Sequence, residues 1–163
     1  MKRIFNPRQV ILATTRAEVT IMGKKKLIDN IITLAWHTPL SFEPGMYGIV
    51  VGKSRFSYEL LTKSKVFAVN FMEIQHEKDV LYCGQHSGMH EDKFEKTNLT
   101  KVECEKIDCP RIKEAVGYFE CETVDEKEIG DHVLIIGKIL KGDGSTGKRI
   151  FQVEGETFGT VKP

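Results

Sequence analysis

Short apolar runs, separated by glycine, proline or clusters of charge, recur along most of the chain. They are rich in Val, Ile, Thr and Phe, which favour strands over helices. The predicted strands cover residues 9–15, 19–22, 29–36, 46–52, 66–71, 99–104, 117–128 and 131–140. We expect residues 18–34 to form a hairpin that turns at 23–26 (GKKK). Residues 117–140 fit a long antiparallel ribbon that turns near Ile129 and Gly130.

Helical spacing of apolar residues occurs in fewer places. Ser54 can cap a helix over residues 55–63, in which Phe56, Leu60 and Leu61 share one face. Residues 77–83 and 91–96 are shorter helical candidates. Many short strands with few helices predict a mainly β fold, a β-barrel with peripheral helices, in one domain over residues 1–163. The regular βαβ alternation of a nucleotide-binding parallel sheet is missing.

The composition favours a folded domain and gives no electrostatic reason to expect a nucleic-acid partner. Hydrophobic residues make up 40% and charged residues 29% of the 163 positions. The net charge is +1, from 24 basic and 23 acidic side chains that are interspersed, whereas phosphate backbones are bound by basic patches. No stretch approaches the roughly 20 apolar residues that cross a bilayer, and MKRIFNPRQV lacks the apolar segment of a secretory signal. We therefore expect a cytoplasmic protein with reduced cysteines that binds neither nucleic acid nor membranes.

Two patterns approach known nucleotide and metal sites without matching them. Residues 142–149 (GDGSTGKR) resemble a P-loop, but Arg149 replaces the hydroxyl residue that would bind Mg²⁺, and IFQVEG after it indicates a strand. A glycine-rich hairpin loop fits this stretch better.

Residues 83–90 (CGQHSGMH), with Cys104 and Cys109 further on, have partial zinc-ligand spacing but no matching second pair. We expect free cysteines and surface histidines there, and no metal.

Two neighbouring stretches could together hold an anion and a flat ring. At residues 52–58 (GKSRFSY) a strand runs into a helix start, where unpaired N–H groups, serine hydroxyls and the Arg55 guanidinium suit a phosphate. Taken alone, this stretch fits a surface helix capped by Ser54 better than an anion site. Residues 30–45 (NIITLAWHTPLSFEPG) end an apolar strand in Trp-His-Thr; Thr33 and Thr38 could donate hydroxyl protons to ring heteroatoms. Trp36 could instead anchor the core.

Six short motifs, in chain order over about residues 6–140, resemble the flavin reductase-like family, which includes the flavoredoxins and uses an FMN-binding split barrel. The matching stretches are residues 13–15 (ATT), 30–36 (NIITLAW), 55–61 (RFSYELL), 67–70 (FAVN), 87–88 (SG) with 92–94 (DKF), and 130–132 (GDH) with Gly137. The resemblance implies a mainly β FMN-binding split β-barrel of Greek-key type, acting as a homodimer.

The same resemblance implies which residues would contact FMN. They are Asn30, Thr33, Leu34, Ala35, Trp36, His37, Thr38, Ser54, Arg55, Ser57, Tyr58, Asn70, Phe71 and Lys93. The strand end at residues 33–38 would line the ring, residues 54–58 would surround the phosphate, and Lys93 would contact the phosphate or the rim. His132 would lie beside the ring as the catalytic residue, orienting an electron donor or relaying a proton. It could equally serve only to hold a strand start.

The implied activity is an FMN-dependent oxidoreductase, an NAD(P)H-dependent flavin reductase that passes electrons to free flavin or an acceptor protein. One alternative is a flavoredoxin-type FMN electron carrier that does not react with NAD(P)H. Another is a split-barrel module that binds no flavin. Met89 stands where the family often has Arg after Ser-Gly, which leaves the identity of the electron donor open.

Overall fold

The structure, a computed structural model, describes residues 4–161 of the chain. The helices are α1 (Phe56–Ser64), α2 (Glu77–Gln85) and α3 (Lys93–Lys96), with a 3-10 turn at Ile74–His76 before α2. The strands are β1 (Arg8–Gln9), β2 (Ile11–Ile21), β3 (Lys24–Leu34), β4 (His37–Phe42), β5 (Gly45–Gly52), β6 (Val66–Phe71), β7 (Lys101–Glu103), β8 (Pro110–Ile112), β9 (Gly117–Ile129), β10 (His132–Gly144), β11 (Phe151–Glu154) and β12 (Thr157–Gly159). The prediction of a mainly β fold is confirmed.

A seven-stranded antiparallel sheet with the order β3-β2-β6-β9-β10-β5-β4 forms the body of the molecule. Its two edge strands, β3 and β4, are consecutive in the chain and are separated only by residues 35–36. Because β3 pairs with β2 and β4 pairs with β5, the chain leaves one edge of the sheet and joins the other. The Val50 amide donates to the Trp36 carbonyl at 2.9 Å, which continues the β4–β5 ladder by one residue into this junction. The sheet therefore curls into a barrel whose edge strands β3 and β4 are joined by residues 35–36 but do not pair with each other.

The first half of strand β2, residues 11–15, is covered on both faces, which explains why its sequence does not alternate there. Ile11 and Ala13 point into the barrel interior, where they pack with Phe67. Leu12, between them, belongs to a second cluster that includes Val80 of α2. A strand buried on both sides reads as a continuous apolar run.

The β2–β3 hairpin forms as expected, but its details differ from the prediction. Residues 11–21 make one strand rather than two runs, because β3 pairs with it along its whole length. The turn lies at Met22 and Gly23, both with positive φ, so the lysines of residues 24–26 belong to β3. The predicted ribbon is confirmed as β9 and β10, which turn at Gly130 and Asp131.

The predicted Ser54 cap is wrong. The Arg55 amide donates to the Gly52 carbonyl at 3.0 Å, so residues 52–55 form a turn and Arg55 occupies the N-cap position. No side chain caps α1, whose first residue is Phe56. Asp92, in contrast, does cap α3 by accepting a hydrogen bond from the Phe94 amide at 2.8 Å.

The glycine-rich stretch at residues 142–149 leads into strand β11, as predicted, and not into the helix of a P-loop. The predicted hairpin is wrong, since β11 pairs with β1 and β12 rather than with β10. The loop therefore carries the chain from the barrel to a separate three-stranded sheet.

Among the helices of residues 4–161, none has the length and apolar character needed to cross a membrane.

Candidate functional site

A cleft of about 870 Å³ lies beside the end of β3. The end of β3, the turn before α1, the C-terminal half of α2 and the β11–β12 hairpin form its walls, for example through Thr33, Ser57, Gly84 and Phe158. Sites for small molecules and cofactors enclose about 300–1,000 Å³. The cleft is therefore of the right size for a cofactor.

Many of the residues predicted to bind the cofactor line this single cleft. They are Thr33, Leu34, Ala35, Trp36, Ser54, Arg55, Ser57 and Lys93, together with the predicted catalytic residue His132. The first four come from the end of β3 and the two residues after it, and the next three from the turn before α1 and its first turn. The last two come from α3 and β10. The fold thus brings together segments that are up to a hundred residues apart.

One end of the cleft is formed by the start of α1, where the first N–H groups of a helix lack intrahelical partners. The Nδ2 of the buried Asn30 donates to Ser57 Oγ at 2.7 Å. With its oxygen already accepting this bond, Ser57 can direct its own hydroxyl proton into the cleft. A Cβ at Gly88 would overlap Asn30 Oδ1, so a glycine at this position lets the chain pack against Asn30. This end has the donors that an anion requires.

Lys93 lies beneath the same end and is only 3% exposed. Its Nζ donates to the Ile31 carbonyl at 2.8 Å and to the Cys83 carbonyl at 2.7 Å, which ties α2 to β3. Burial, and to a smaller extent the charge of Arg55, lower the pKa of Lys93. Arg55 and Lys93 together make this end of the cleft electropositive.

Trp36 and His132 face each other at another wall of the cleft, with ring centroids 4.8 Å apart and planes tilted by 33°. Trp36 is 39% exposed, so it lines the cleft and does not anchor the core. His132 Nδ1 lies 2.7 Å from Asp131 Oδ1, and this hydrogen bond holds the pKa of Asp131 below its usual value. If Nδ1–H donates to the carboxylate, Nε2 is the proton-accepting nitrogen of the neutral ring.

His37 and Thr38 line an adjoining, mainly apolar pocket of about 370 Å³, which shares Trp36 with the cleft. Two predicted hydroxyl donors are engaged within the protein. Thr33 Oγ1 donates to the Val80 carbonyl at 2.6 Å, and Thr38 Oγ1 donates to the Pro39 carbonyl at 3.1 Å. Neither hydroxyl proton is directed at the cleft.

Three further predicted residues, Tyr58 of α1 and Asn70 and Phe71 of β6, contact the interior of the fold. Tyr58 and Phe71 pack against the barrel core. Asn70 is fully buried; its Nδ2 donates to the Leu12 carbonyl at 3.0 Å and its Oδ1 accepts from the Ile112 amide at 2.8 Å. These contacts give Asn70 a structural role between strands, and its contact with a cofactor stays a prediction.

Residues 1–151 match the family model of the flavin reductase like domain. The chain belongs to the flavin reductase-like family.

Two relatives show how similar this flavin reductase-like chain is to known proteins. An uncharacterized protein from Archaeoglobus fulgidus is 40% identical over 125 residues, which cover 77% of this chain and 70% of that protein. The NADH-dependent FAD reductase of Streptomyces globisporus is 31% identical over 106 residues, or 63% of this chain and 56% of the enzyme. Against two further archaeal relatives, from Pyrococcus abyssi and Aeropyrum pernix, the match spans 63% and 50% of their lengths.

Solved structures confirm the split-barrel fold. An FMN-binding protein from Thermus thermophilus superposes with a TM-score of 0.84 at 21% identity, covering 96% of this chain and 87% of that one. Flavoredoxin from Methanosarcina acetivorans gives 0.80 at 24% identity, over 98% and 87% of the two chains. A Shewanella frigidimarina protein with a split barrel domain gives 0.85 at 13% identity, over 99% and 86%.

The donor set of the cleft in this flavin reductase-like chain fits a flavin mononucleotide. The N–H groups of α1, Ser57, Arg55 and the nearby Lys93 suit a phosphate. The aromatic wall of Trp36 and His132 suits a flat ring system. Within the described chain Asn30 Oδ1 is buried without a hydrogen-bond partner.

Sequence reasoning missed one whole wall of the cleft. Gln152, Glu156 and Phe158 of the β11–β12 hairpin line it, and Gln85 Nε2 of α2 donates to Glu156 Oε1 at 2.8 Å. Apart from Phe151, the hairpin follows the residues that the family model matches, and it carries no motif, so only its packing reveals its position. His86 and Ser87 also line the cleft. In the sequence Ser87 belongs to the Ser-Gly motif, whereas His86 stands out only in the partial zinc pattern.

The residues of the partial zinc pattern do not converge. The His86 ring stacks on Tyr82, at 3.9 Å between centroids, and Cys83 is buried. Across residues 4–161, no three His, Cys, Asp or Glu side chains come close enough together to hold a metal ion.

His37 is held as a neutral imidazole. Its Nε2 lies 2.9 Å from the Gln9 carbonyl, which can only accept, so Nε2 carries the proton. Nδ1 therefore accepts from the Tyr47 hydroxyl at 2.6 Å. Burial lowers the pKa of His37 from its ordinary value of 6.5.

This arrangement predicts a loss of stability on acidification. The unfolded chain binds a proton at His37 near pH 6.5, whereas the folded chain binds it only at lower pH. The free energy of unfolding should therefore fall as the pH drops from about 6.5 towards the native pKa, by at most about 1.4 kcal/mol per pH unit. Urea unfolding between pH 8 and pH 5 measures this slope.

In His37→Gln the slope over this range should become shallower, while His86→Gln, at an exposed histidine, should retain the wild-type slope. If the free energy of unfolding depends on pH equally in His37→Gln and in the wild type, folding does not lower the pKa of His37, and the prediction is wrong.

Proposed function

We propose that this chain is an FMN-dependent oxidoreductase, an NAD(P)H-dependent flavin reductase that delivers electrons to free flavin or to an acceptor protein. The observation that carries the proposal is that one cleft has an electropositive part and an aromatic part. Arg55, Lys93 and Ser57, which accepts a hydrogen bond from Asn30, form the electropositive end. The rings of Trp36 and His132 form another wall. This arrangement matches the two ends of a flavin mononucleotide.

The phosphate end would act through binding alone. Arg55 offers a planar fork of donors, and Ser57 offers a hydroxyl that Asn30 holds in place. Lys93 is fixed by two carbonyls, so its charge is available without reorganisation when an anion enters. These residues would bind and orient the cofactor.

When bound, FMN would supply the hydride and electron chemistry, which amino-acid side chains cannot provide. Trp36 would cover part of the ring position and exclude water from it. His132 would hold or move a proton at Nε2, while Asp131 fixes the orientation of its ring. No covalent catalyst is required.

The spectrum of the purified protein tests this function directly. It should be yellow or should take up FMN, and the bound flavin should bleach anaerobically with NADH or NADPH. Flavin that stays oxidised under excess of both donors would instead assign the electron-carrier role. A colourless protein that takes up no FMN would exclude both redox functions.

The Arg55→Ala variant should weaken FMN binding by about 1–3 kcal/mol, because it removes charge-assisted hydrogen bonds to the phosphate. Fluorescence titration measures the affinity. Lys53→Ala is the matched control, since Lys53 lies two residues away but pairs with Glu128 on the surface. Unchanged affinity in Arg55→Ala, or an equal loss in both variants, would place the phosphate elsewhere.

His132→Gln should keep FMN bound but lower turnover with NAD(P)H, on the order of 10²-fold if His132 relays a proton. The pH profile of kcat should flatten at the same time. His90→Gln, at an exposed histidine, serves as the control. An unchanged rate and profile in folded His132→Gln would leave His132 only its structural role at the start of β10.

We also propose that the chain is a homodimer that associates through β4. In the sheet order β4 is an edge strand, so one side of its backbone is unpaired. Leu40 is 43% and Phe42 98% exposed, close along the chain to the half-exposed Trp36. An exposed apolar edge strand is a site at which a second chain can pair.

Phe42→Asp should shift the protein from dimer to monomer, measured by size-exclusion chromatography with light scattering. Met22→Asp is the matched control, because Met22 is equally exposed, at 97%, but lies in the β2–β3 turn. A wild-type monomer, or a Phe42→Asp variant that remains dimeric, would contradict the proposed interface.

A further inference from the structure

Two cysteines outside the cleft lie opposite each other at the end of a small ladder. Strands β7 and β8 pair Glu103 with Pro110, so the next pair in register is Cys104 with Cys109. The Cys104 amide donates to the Cys109 carbonyl at 3.1 Å. Directly opposed residues in antiparallel strands have Cα atoms about 4.5–5.5 Å apart. A disulfide spans Cα separations of about 4.4–6.8 Å.

The two cysteines also pack together, since Cys104 lies against the small apolar cluster that contains Cys109. The Cys109 thiol donates to the Thr14 carbonyl at 3.9 Å, and its proximity to Cys104, together with burial, raises the pKa of Cys109. Cys109 is fully buried, whereas Cys104 is partly exposed. Only Cys104 can therefore be reached from solution, and Cys109 lies behind it as a resolving thiol.

The loop between these cysteines is already held in place. The buried Glu120 carboxylate accepts hydrogen bonds from the Glu105 amide at 3.1 Å and from the Lys106 amide at 2.7 Å. Arg16 Nη1 donates to Asp108 Oδ1 at 2.9 Å. Closing the bond would then require little further ordering of the backbone.

We propose that Cys104 and Cys109 form a reversible disulfide that closes the loop of residues 104–109. The Cys104 thiolate attacks a low-molecular-weight disulfide such as oxidised glutathione, forming a mixed disulfide and releasing one glutathione thiol. Cys109 then attacks the Cys104 sulfur, and its proton passes to the second glutathione thiol as that group leaves. In total the two protein thiols lose two electrons and two protons, and oxidised glutathione takes up all of these to become two glutathione thiols.

The other two cysteines have a different environment. Cys83 and Cys121 are buried, at 1% and 0% exposure. Burial raises the pKa of each thiol to about 12, as it also raises that of Cys109, but neither Cys83 nor Cys121 lies opposite Cys104 in the β7–β8 ladder. They therefore serve as internal references for reactivity.

Trypsin sites make the bond directly observable. Cleavage after Lys101, Lys106 and Arg111 yields the peptides of residues 102–106 (VECEK) and 107–111 (IDCPR), one cysteine in each. The full chain, reduced and then equilibrated with glutathione buffers of increasing oxidised fraction, would be alkylated under denaturing conditions, digested and analysed by mass spectrometry. The expected product is these two peptides joined, with a mass two hydrogens lower than their sum.

The joined pair should be lost in Cys104→Ser and in Cys109→Ala. It should persist in Cys83→Ala and Cys121→Ala, which are matched single-cysteine controls. If Cys109→Ala fails to fold, the wild-type digest still decides. Four alkylated thiols at every glutathione ratio would overturn the proposal, as would a stable glutathione adduct at Cys104 or a bond from Cys104 to Cys121.

Discussion

The passage of the chain from β3, at one edge of the sheet, to β4, at the other edge, through Ala35 and Trp36 is the constraint on which both the barrel and the cleft depend. Two hydrogen bonds fix this corner, from Arg8 Nε to the Ala35 carbonyl at 2.8 Å and from the Val50 amide to the Trp36 carbonyl at 2.9 Å. Because both carbonyls already accept a hydrogen bond, this corner does not need to pair with another strand. The Trp36 side chain is then left partly exposed, where it lines the cleft.

Buried polar groups make the opposite end of the cleft rigid. Asn30 and Lys93 are almost fully buried, and each is held by hydrogen bonds to neighbouring groups. Burying such groups is unfavourable unless they are paired, so their positions are strongly determined by the surrounding strands and helices. A site built in this way presents its donors and charge before any ligand arrives, which favours anion binding.

The cysteine pair at residues 104 and 109 is also held in position by buried or charged groups from distant parts of the chain. The Glu120 carboxylate and Arg16 fix the loop around it, as Asn30 and the two carbonyls fix the cleft. In both places long-range contacts preorganise reactive groups that stand on short or irregular segments. The chemistry of each place therefore depends on the barrel strands behind it.

Local patterns in the sequence determined the strand-rich class, the β9–β10 ribbon and the six motifs that indicate the family, because these depend on neighbouring residues. The sequence could not place the start of α1, since a backbone bond from Arg55 to Gly52 displaced the expected Ser54 cap. It also could not show that Thr33 donates to α2 or that Asn70 serves between strands. Only the tertiary structure decided which polar groups face the cleft and that the β11–β12 hairpin forms a wall, because both depend on contacts between residues distant in the chain.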